Sequence, residues 1–438
     1  MDIATLSMLI VVAMVALLVM GVPLAFVSGS IAVVLAVGHF GPNALFIVGS
    51  RTVEFLGSFA LVAVPMFVLM ASIMERSGVA RDLYRAFHVW AGEIRGGVAM
   101  ITTVVAVVLG ATTGIIGGEI VLLGLIALPQ MLRLGYEKRL AIGTITAGGS
   151  LGTMIPPSII LIFYGITAEV SISHLFLATL VPGFILAGLY IAYILVRCRL
   201  NPELGPPVEE ADRLLPLSEK LALMRGVALP LLVAASVLTS IYAGFASITE
   251  SAAVGVAGTI FAAWVRRELT LEMIRGALVQ ALKTCGMVFW LVFGTNALIG
   301  VYNLLGGIAF AKGLLAGISS EPTVILLVMI GVFILLGFFI DWIGILFLTM
   351  PIFLPMLQIL GYDPIWFGIV FNLSMQIAYL TPPFGPACFY LKGAAPPEVS
   401  LSDIFHAQWP FIGLQLLGLA LVVTFPQTAL WLPKLVYG

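Results

Sequence analysis

Charge is what this sequence has least of. Only 9% of its 438 residues are Asp, Glu, Lys or Arg, against about 25% in a soluble domain. That scarcity leaves no room for a soluble domain. The formal net charge is −1, so no basic surface is on offer to nucleic acid. Cysteine is scarce as well: Cys198, Cys285 and Cys388 stand far apart and show neither metal nor redox spacing. The four histidines, at 39, 88, 174 and 406, fall at segment ends and form no cluster. No phosphate-binding loop and no nucleophile elbow is present. The N-terminus, MDIATLSMLIVVAMVALLVMG, lacks a basic region and an A-x-A site, and reads as a retained first span rather than a cleaved signal.

What is abundant is apolar sequence. Hydrophobic residues make up 61% of the chain and the mean hydropathy is +1.17. Runs of the roughly 20 residues needed to span a bilayer recur from end to end. The fold class is therefore an all-α polytopic membrane protein. The runs predict spans near 4–20, 23–38, 57–75, 139–168, 174–196, 223–243, 245–264, 285–305, 365–391 and 404–431.

Two stretches match. Leu128 to Gly165 and Leu354 to Leu391 share Leu-Pro, Leu-Gly-Tyr-acid, Pro-Pro and Phe-Tyr in the same order. Positions 129 and 355, 135 and 361, 156 and 382, and 163 and 389 each differ by 226. A constant offset marks a duplicated unit, and paired broken segments in two halves of a membrane protein point to a transport site. Ahead of each stretch lies an apolar region interrupted mid-way, 96–133 at Ala111 to Glu119 and 322–360 at Gly337 to Gly344. Gly and Thr occupy the first break in place of the charged turn expected at a membrane surface. Both regions read as re-entrant helical hairpins, whose irregular tips are tolerated only against protein or a water-filled cavity.

Loop charge sets the topology. Arg76, Arg81, Arg85 and Arg95 precede the first hairpin, and Arg133, Lys138 and Arg139 follow it, which puts its feet in the cytoplasm. The second hairpin is flanked by Lys312, Glu321 and Asp363, so its feet belong on the other side. Arg197, Arg199, Arg266 and Arg267 mark the intervening cytoplasmic returns. The halves are thus expected to be inverted repeats, 1–200 and 221–438, with both termini outside and a polar cytoplasmic linker at 201–220. Amphipathic stretches at Arg76 to Arg95 and Arg266 to Lys283 read as interfacial arm helices.

Oxygen-bearing residues gather where the backbone breaks, and hard cations such as Na⁺ prefer oxygen ligands. In the first half these are Thr112 and Thr113 at the tip and Gly148 to Thr153 ahead of Pro156-Pro157. In the second they are Gly337 to Asp341 at the tip and Gln376 and Thr381 ahead of Pro382-Pro383. Each Pro-Pro removes two backbone donors and breaks its span, which frees carbonyls beside hydroxyls. Asp341 is the sharpest single residue, because a carboxylate within the membrane costs about 2.5–3.5 kcal/mol on insertion scales and is a functional candidate. It is expected to support cation binding at the second tip, directly or by fixing the loop. Glu119 stands to do similar work at the first. Glu250, at the start of a span, complements the helix dipole.

LGATTGIIGGEIVLLGLIALPQMLRLGYEKRLAIGTITAGGSLGTMIPPSI, SITESAAVG and PIFLPMLQILGYDPIWFGIVFNLSMQIAYLTPPFGPACFYLKGAAP together resemble the signatures of the large (M) subunit of TRAP transporters. The resemblance covers nearly the whole chain. It implies an elevator-type secondary transporter that imports organic acids, driven by Na⁺, in the bacterial inner membrane. It implies a small Q subunit, here expected to be a separate chain, and a periplasmic substrate-binding P protein. It places one Na⁺ site at Thr112, Thr113, Ser150 and Thr153 and a second at Gly337, Asp341, Gln376 and Thr381, with substrate between them at Thr113, Ser150, Pro156, Pro157, Thr381, Pro382 and Pro383. Many members carry a serine-rich first tip; Ala-Thr-Thr-Gly followed by Gly-Glu here leaves the ligands of the first site open. The alternatives are a stand-alone Na⁺/divalent-anion symporter of related architecture, a passive channel, and an intramembrane aspartyl protease. The protease needs two facing carboxylates, and Asp341 has no embedded aspartate partner in the sequence.

Overall fold

The computed structural model describes residues 2–91, 94–208 and 216–438. Every regular element among them is helical. The first half holds α1 (Ile3–Val19), α2 (Leu24–Phe40), α3 (Leu45–Leu56), α4 (Ala63–Arg76), α5 (Val79–His88), α6 (Gly97–Thr113), α7 (Gly118–Arg133), α8 (Lys138–Ser150), α9 (Ile159–Ala168) and α10 (Ile172–Leu200). The second holds α11 (Leu217–Tyr242), α12 (Ile248–Val265), α13 (Leu271–Leu304), α14 (Gly307–Ile318), α15 (Pro322–Gly337), α16 (Trp342–Leu360), α17 (Pro364–Leu380), α18 (Pro386–Ala394), α19 (Leu401–Thr424) and α20 (Gln427–Tyr437). Among the described residues, seven segments are long and apolar enough to cross a membrane by length and composition.

The broken spans break where proline dictates. α8 closes in a 3-10 turn at Leu151–Thr153, and the chain re-enters helix only at Ile159, beyond Pro156-Pro157. α17 stops at Leu380 and α18 starts at Pro386, beyond Pro382-Pro383. Both Pro-Pro bonds are cis. Two helix pairs form hairpins, α6–α7 turning at Gly114 to Gly117 and α15–α16 turning at Phe338 to Asp341. Their legs of 17, 16, 16 and 19 residues measure about 24–29 Å at the α-helical rise, less than a hydrocarbon core of about 30 Å.

Packing separates two groups. α2 lies along α13, α4 along α12 and α13, and α11 against α12 and α5. In the other group the first hairpin packs on α8 and α10, the second on α17, and α19 joins α17 to α8. The broken spans exchange partners: α9 packs on α16 and α17, while α18 packs on α7 and α8. Each hairpin is thus backed by the far piece of the other half's broken span.

Several expected elements change on folding. The second arm helix, Arg266 to Lys283, is not separate. Residues 271–304 form one helix of 34 residues, about 51 Å long, because Thr270 caps its start by accepting from Met273 N at 3.1 Å and no proline follows to break it. The short helix matching α5 at the 226-residue offset is instead α14. The span expected at 404–431 divides at Phe425 and Pro426, and α3 was not foreseen. The linker's last residues, from Leu217, already belong to α11. Its 209–215 portion, and 92–93 of the first arm, lie outside the described residues.

Candidate functional site

The first tip is docked on the first break. Gly114 has a φ of +64°, and its carbonyl accepts from Ile159 N at 3.2 Å where α9 begins. A side-chain carbon at Gly110 would stand 2.6 Å from the Gly152 Cα, so only glycine permits this approach. Thr112 Oγ1 donates to the Leu109 carbonyl at 2.7 Å. Thr113 Oγ1 is shared between that carbonyl at 3.2 Å and the Glu119 carboxylate in the first turn of α7. All three side chains are buried.

The carbonyls released by the first break are answered by nearby donors. Ser150 Oγ donates to the Ala147 carbonyl at 2.8 Å, and Thr153 Oγ1 to the Ser150 carbonyl at 3.1 Å. The Thr153 carbonyl accepts Ser158 Oγ at 2.7 Å and Asn372 Nδ2 at 2.9 Å, which uses both lone pairs. Gln376 Nε2 donates to the Thr153 hydroxyl. Gln376, assigned above with Asp341, is therefore bonded across the molecule to Thr153. Asn372 and Gln376, one turn apart on α17, each leave a buried side-chain oxygen without a hydrogen-bond partner. Replacing Gln376 by leucine is expected to lower stability by about 1–3 kcal/mol, since the Thr153 hydroxyl loses its buried donor. A thermal-unfolding midpoint equal to wild type would contradict this.

At the second break Thr381 Oγ1 bonds the Ile377 carbonyl at 2.6 Å and is buried. Gly337 packs against Ala378. Asp341 is half-buried and is the N-cap of α16, with Oδ2 accepting a long bond from Ile343 N at 3.5 Å. Glu250 forms a capping box with Ser247, whose N donates to Glu250 Oε2 at 2.7 Å.

Between the two groups lie adjoining cavities of about 540 and 870 Å³. They share Val68, Ile115, Ile116, Thr284, Met287 and Tyr390 as walls. The smaller touches both tips, through Ile115 and Ile116 on one side and Phe339 to Ile343 on the other, and is otherwise mostly apolar. The larger carries Ser72, Glu75, Arg76, Gln280, Lys283 and Thr284. Of the predicted substrate residues, Thr113, Ser150, Pro156, Pro157 and Thr381 are buried beneath the tips, Pro382 is half-buried and Pro383 exposed. None of them lines these cavities; Asp341, Phe384, Pro386 and Tyr390 do.

Sequence reasoning missed Glu75, Asn372 and Lys283. Glu75 sits among Arg76 and Arg81 and reads as part of a solvated charge run. Asn372 was legible: an amide within an apolar span, four residues before Gln376 on one helix face.

Comparison with known proteins supplies the family. Residues 11–428 match the family model described as tripartite ATP-independent periplasmic transporter, DctM component. The chain is 28% identical over 458 residues to the C4-dicarboxylate TRAP transporter large permease protein DctM of Vibrio cholerae, covering 98% of each. It is 30% identical over 386 residues to the ectoine TRAP transporter large permease protein TeaC of Halomonas elongata, covering 86% of this chain and 87% of that one. In fold it is similar to the YdaH transporter of Alcanivorax borkumensis, with a TM-score of 0.68 at 15% identity over 93% of this chain and 98% of that one. These relatives are membrane transporters rather than enzymes. With two hairpins, two broken spans and a family match over nearly its whole length, the chain belongs to the DctM family of tripartite ATP-independent periplasmic transporters, as a multi-pass large permease component.

Proposed function

We propose that this chain carries out Na⁺-coupled import of an organic acid across the bacterial inner membrane. In this reading it works with a small membrane Q subunit and receives cargo from a periplasmic binding protein. The C4-dicarboxylate permease among its relatives supports a carboxylate cargo. The observation that carries the reading is the pair of adjoining cavities bordered by both hairpin tips on one side and by α4 and α13 on the other. A site walled by two hairpins of opposite orientation can be reached from either face when one group moves against the other. The hairpin group is the moving part, α1, α2, α11 and α12 form the scaffold, and both termini face the periplasm. Arg76 and Lys283 supply positive charge for the cargo's carboxylate, and the apolar cavity takes its carbon body. One Na⁺ binds at each tip, the second beside Asp341.

The test is uptake into proteoliposomes containing the chain, its small subunit and its binding protein. Removing the Na⁺ gradient is expected to reduce uptake to the level of empty liposomes. Uptake that persists without Na⁺ would refute the coupling, and full transport by this chain alone would favour a stand-alone symporter.

A further inference from the structure

The two adjoining cavities change character along one face of α13. Gly276, Gln280, Lys283 and Met287 follow one another there at helical spacing. A side-chain carbon at Gly276 would stand 2.6 Å from Arg76 Nη1, so the guanidinium lies over this position. Gln280 and Lys283 line the 870 Å³ cavity. Beyond Met287 the wall is apolar, with Trp290 and Leu291 lining the 540 Å³ cavity. Charge is placed just as unevenly. Among the described residues, the charged side chains on the two cavities are Glu75, Arg76, Lys283 and Asp341. Glu75 acts electrostatically on Arg76. Its carboxylate reaches the start of α7, where a Cβ at Gly118 would overlap Oε1, and the positive end of that helix favours an anion. Lys283 is exposed to the cavity and makes no ion pair among the described residues.

We propose that the cargo is a monocarboxylate with an apolar body, held at its one carboxylate by Lys283, and that Glu75 excludes dicarboxylates by neutralising Arg76. The proposal rests on the carboxylate-importer reading above and narrows its cargo. One carboxylate meets the Lys283 ammonium in a charge-assisted contact. The carbon body then runs along Met287, Trp290 and Leu291, where its apolar surface leaves water. From Lys283 to Leu291 is about 12 Å at the helical rise, room for an aliphatic chain or a single aromatic ring. A second carboxylate finds no such partner. At the apolar end it meets Asp341, which offers no surplus positive charge, whether bare or beside a Na⁺. Turned back toward Arg76, it meets a guanidinium whose charge Glu75 already answers. A carboxylate taken from water without a partner is costly. The cargo so defined differs from the one in the name of the C4-dicarboxylate permease among the relatives.

The test titrates hexanoate and hexanedioate, which share a carbon chain and differ by one carboxylate, into nanodiscs holding the full chain with its small subunit. The buffer is mildly alkaline, so that both probes are fully ionised, and heats from empty nanodiscs are subtracted. With NaCl present, hexanoate is expected to bind at least about tenfold more tightly than hexanedioate, a difference of about 1.4 kcal/mol. Lys283→Gln is expected to weaken hexanoate about tenfold, and Lys283→Arg to retain it. Glu75→Gln frees Arg76, whose place over Gly276 is about 10 Å along α13 from Lys283. This variant is expected to close the gap by raising hexanedioate affinity about tenfold, a gain that misfolding does not produce. Equal or tighter binding of hexanedioate by the wild-type complex would overturn the one-carboxylate rule and leave the importer reading intact. An unchanged preference in Glu75→Gln would overturn the role given to Glu75. If choline chloride in place of NaCl alters neither affinity nor uptake, the Na⁺-coupled reading falls while the preference between the two acids stands.

Discussion

Gly114→Ala is expected to reduce Na⁺-driven uptake about 100-fold. The residue sits at φ +64°, where an L side chain costs roughly 1–2 kcal/mol. A Cβ there would overlap the carbonyl oxygen of Pro157, and backbone cannot rotate aside as a side chain can. The tip must withdraw, which breaks the bond from Ile159 N to the Gly114 carbonyl and adds about 1–3 kcal/mol of overpacking. The sum of about 3 kcal/mol corresponds to two powers of ten. Gly313→Ala is the control, since nothing lies within 4 Å of a Cβ at that position in α14. Equal uptake by the two variants would show that docking of the first tip on the first break does not matter to transport.

Asp341→Asn separates two roles of the same side chain. Asp341 caps α16, and asparagine caps about as well as aspartate. The fold should therefore stand, with a melting temperature within about 0.5 °C of wild type, a change of no more than about half a kcal/mol at roughly 2.1 cal/mol/K per residue in a chain of 438 residues. The charge is lost, however, and with it the anionic group at the second tip facing the 540 Å³ cavity. Uptake is expected to fall to background and the Na⁺ dependence of the remainder to flatten. Asp341→Ala should show the same transport defect with an added stability loss of about 0.5–2 kcal/mol. Wild-type uptake by Asp341→Asn would reduce this residue to a cap.

The elements set by local chemistry were legible in the chain. The Pro-Pro pairs end their helices because proline lacks an N–H and constrains its predecessor, and both breaks lie where they were expected. The hairpins were legible from apolar regions too short, once interrupted, to span twice. The second arm was misread because amphipathic pattern does not reveal where a helix ends; Thr270 caps it, and nothing stops it before Leu304.

The site residues divide along the same line. Thr112, Thr113 and Asp341 stand out in the sequence because a polar group at a break in an apolar run is visible locally. The bond between Gln376 and Thr153 joins positions 223 residues apart, and no local pattern assigns the amide to one tip rather than the other. By itself the sequence determined an all-helical membrane protein, its duplication, the places where its spans break and its family, because these follow from apolar length, proline and recurring motifs. Only the tertiary structure decided that the broken spans exchange hairpins and that the Thr153 carbonyl is already saturated, because burial and pairing depend on which distant helices meet.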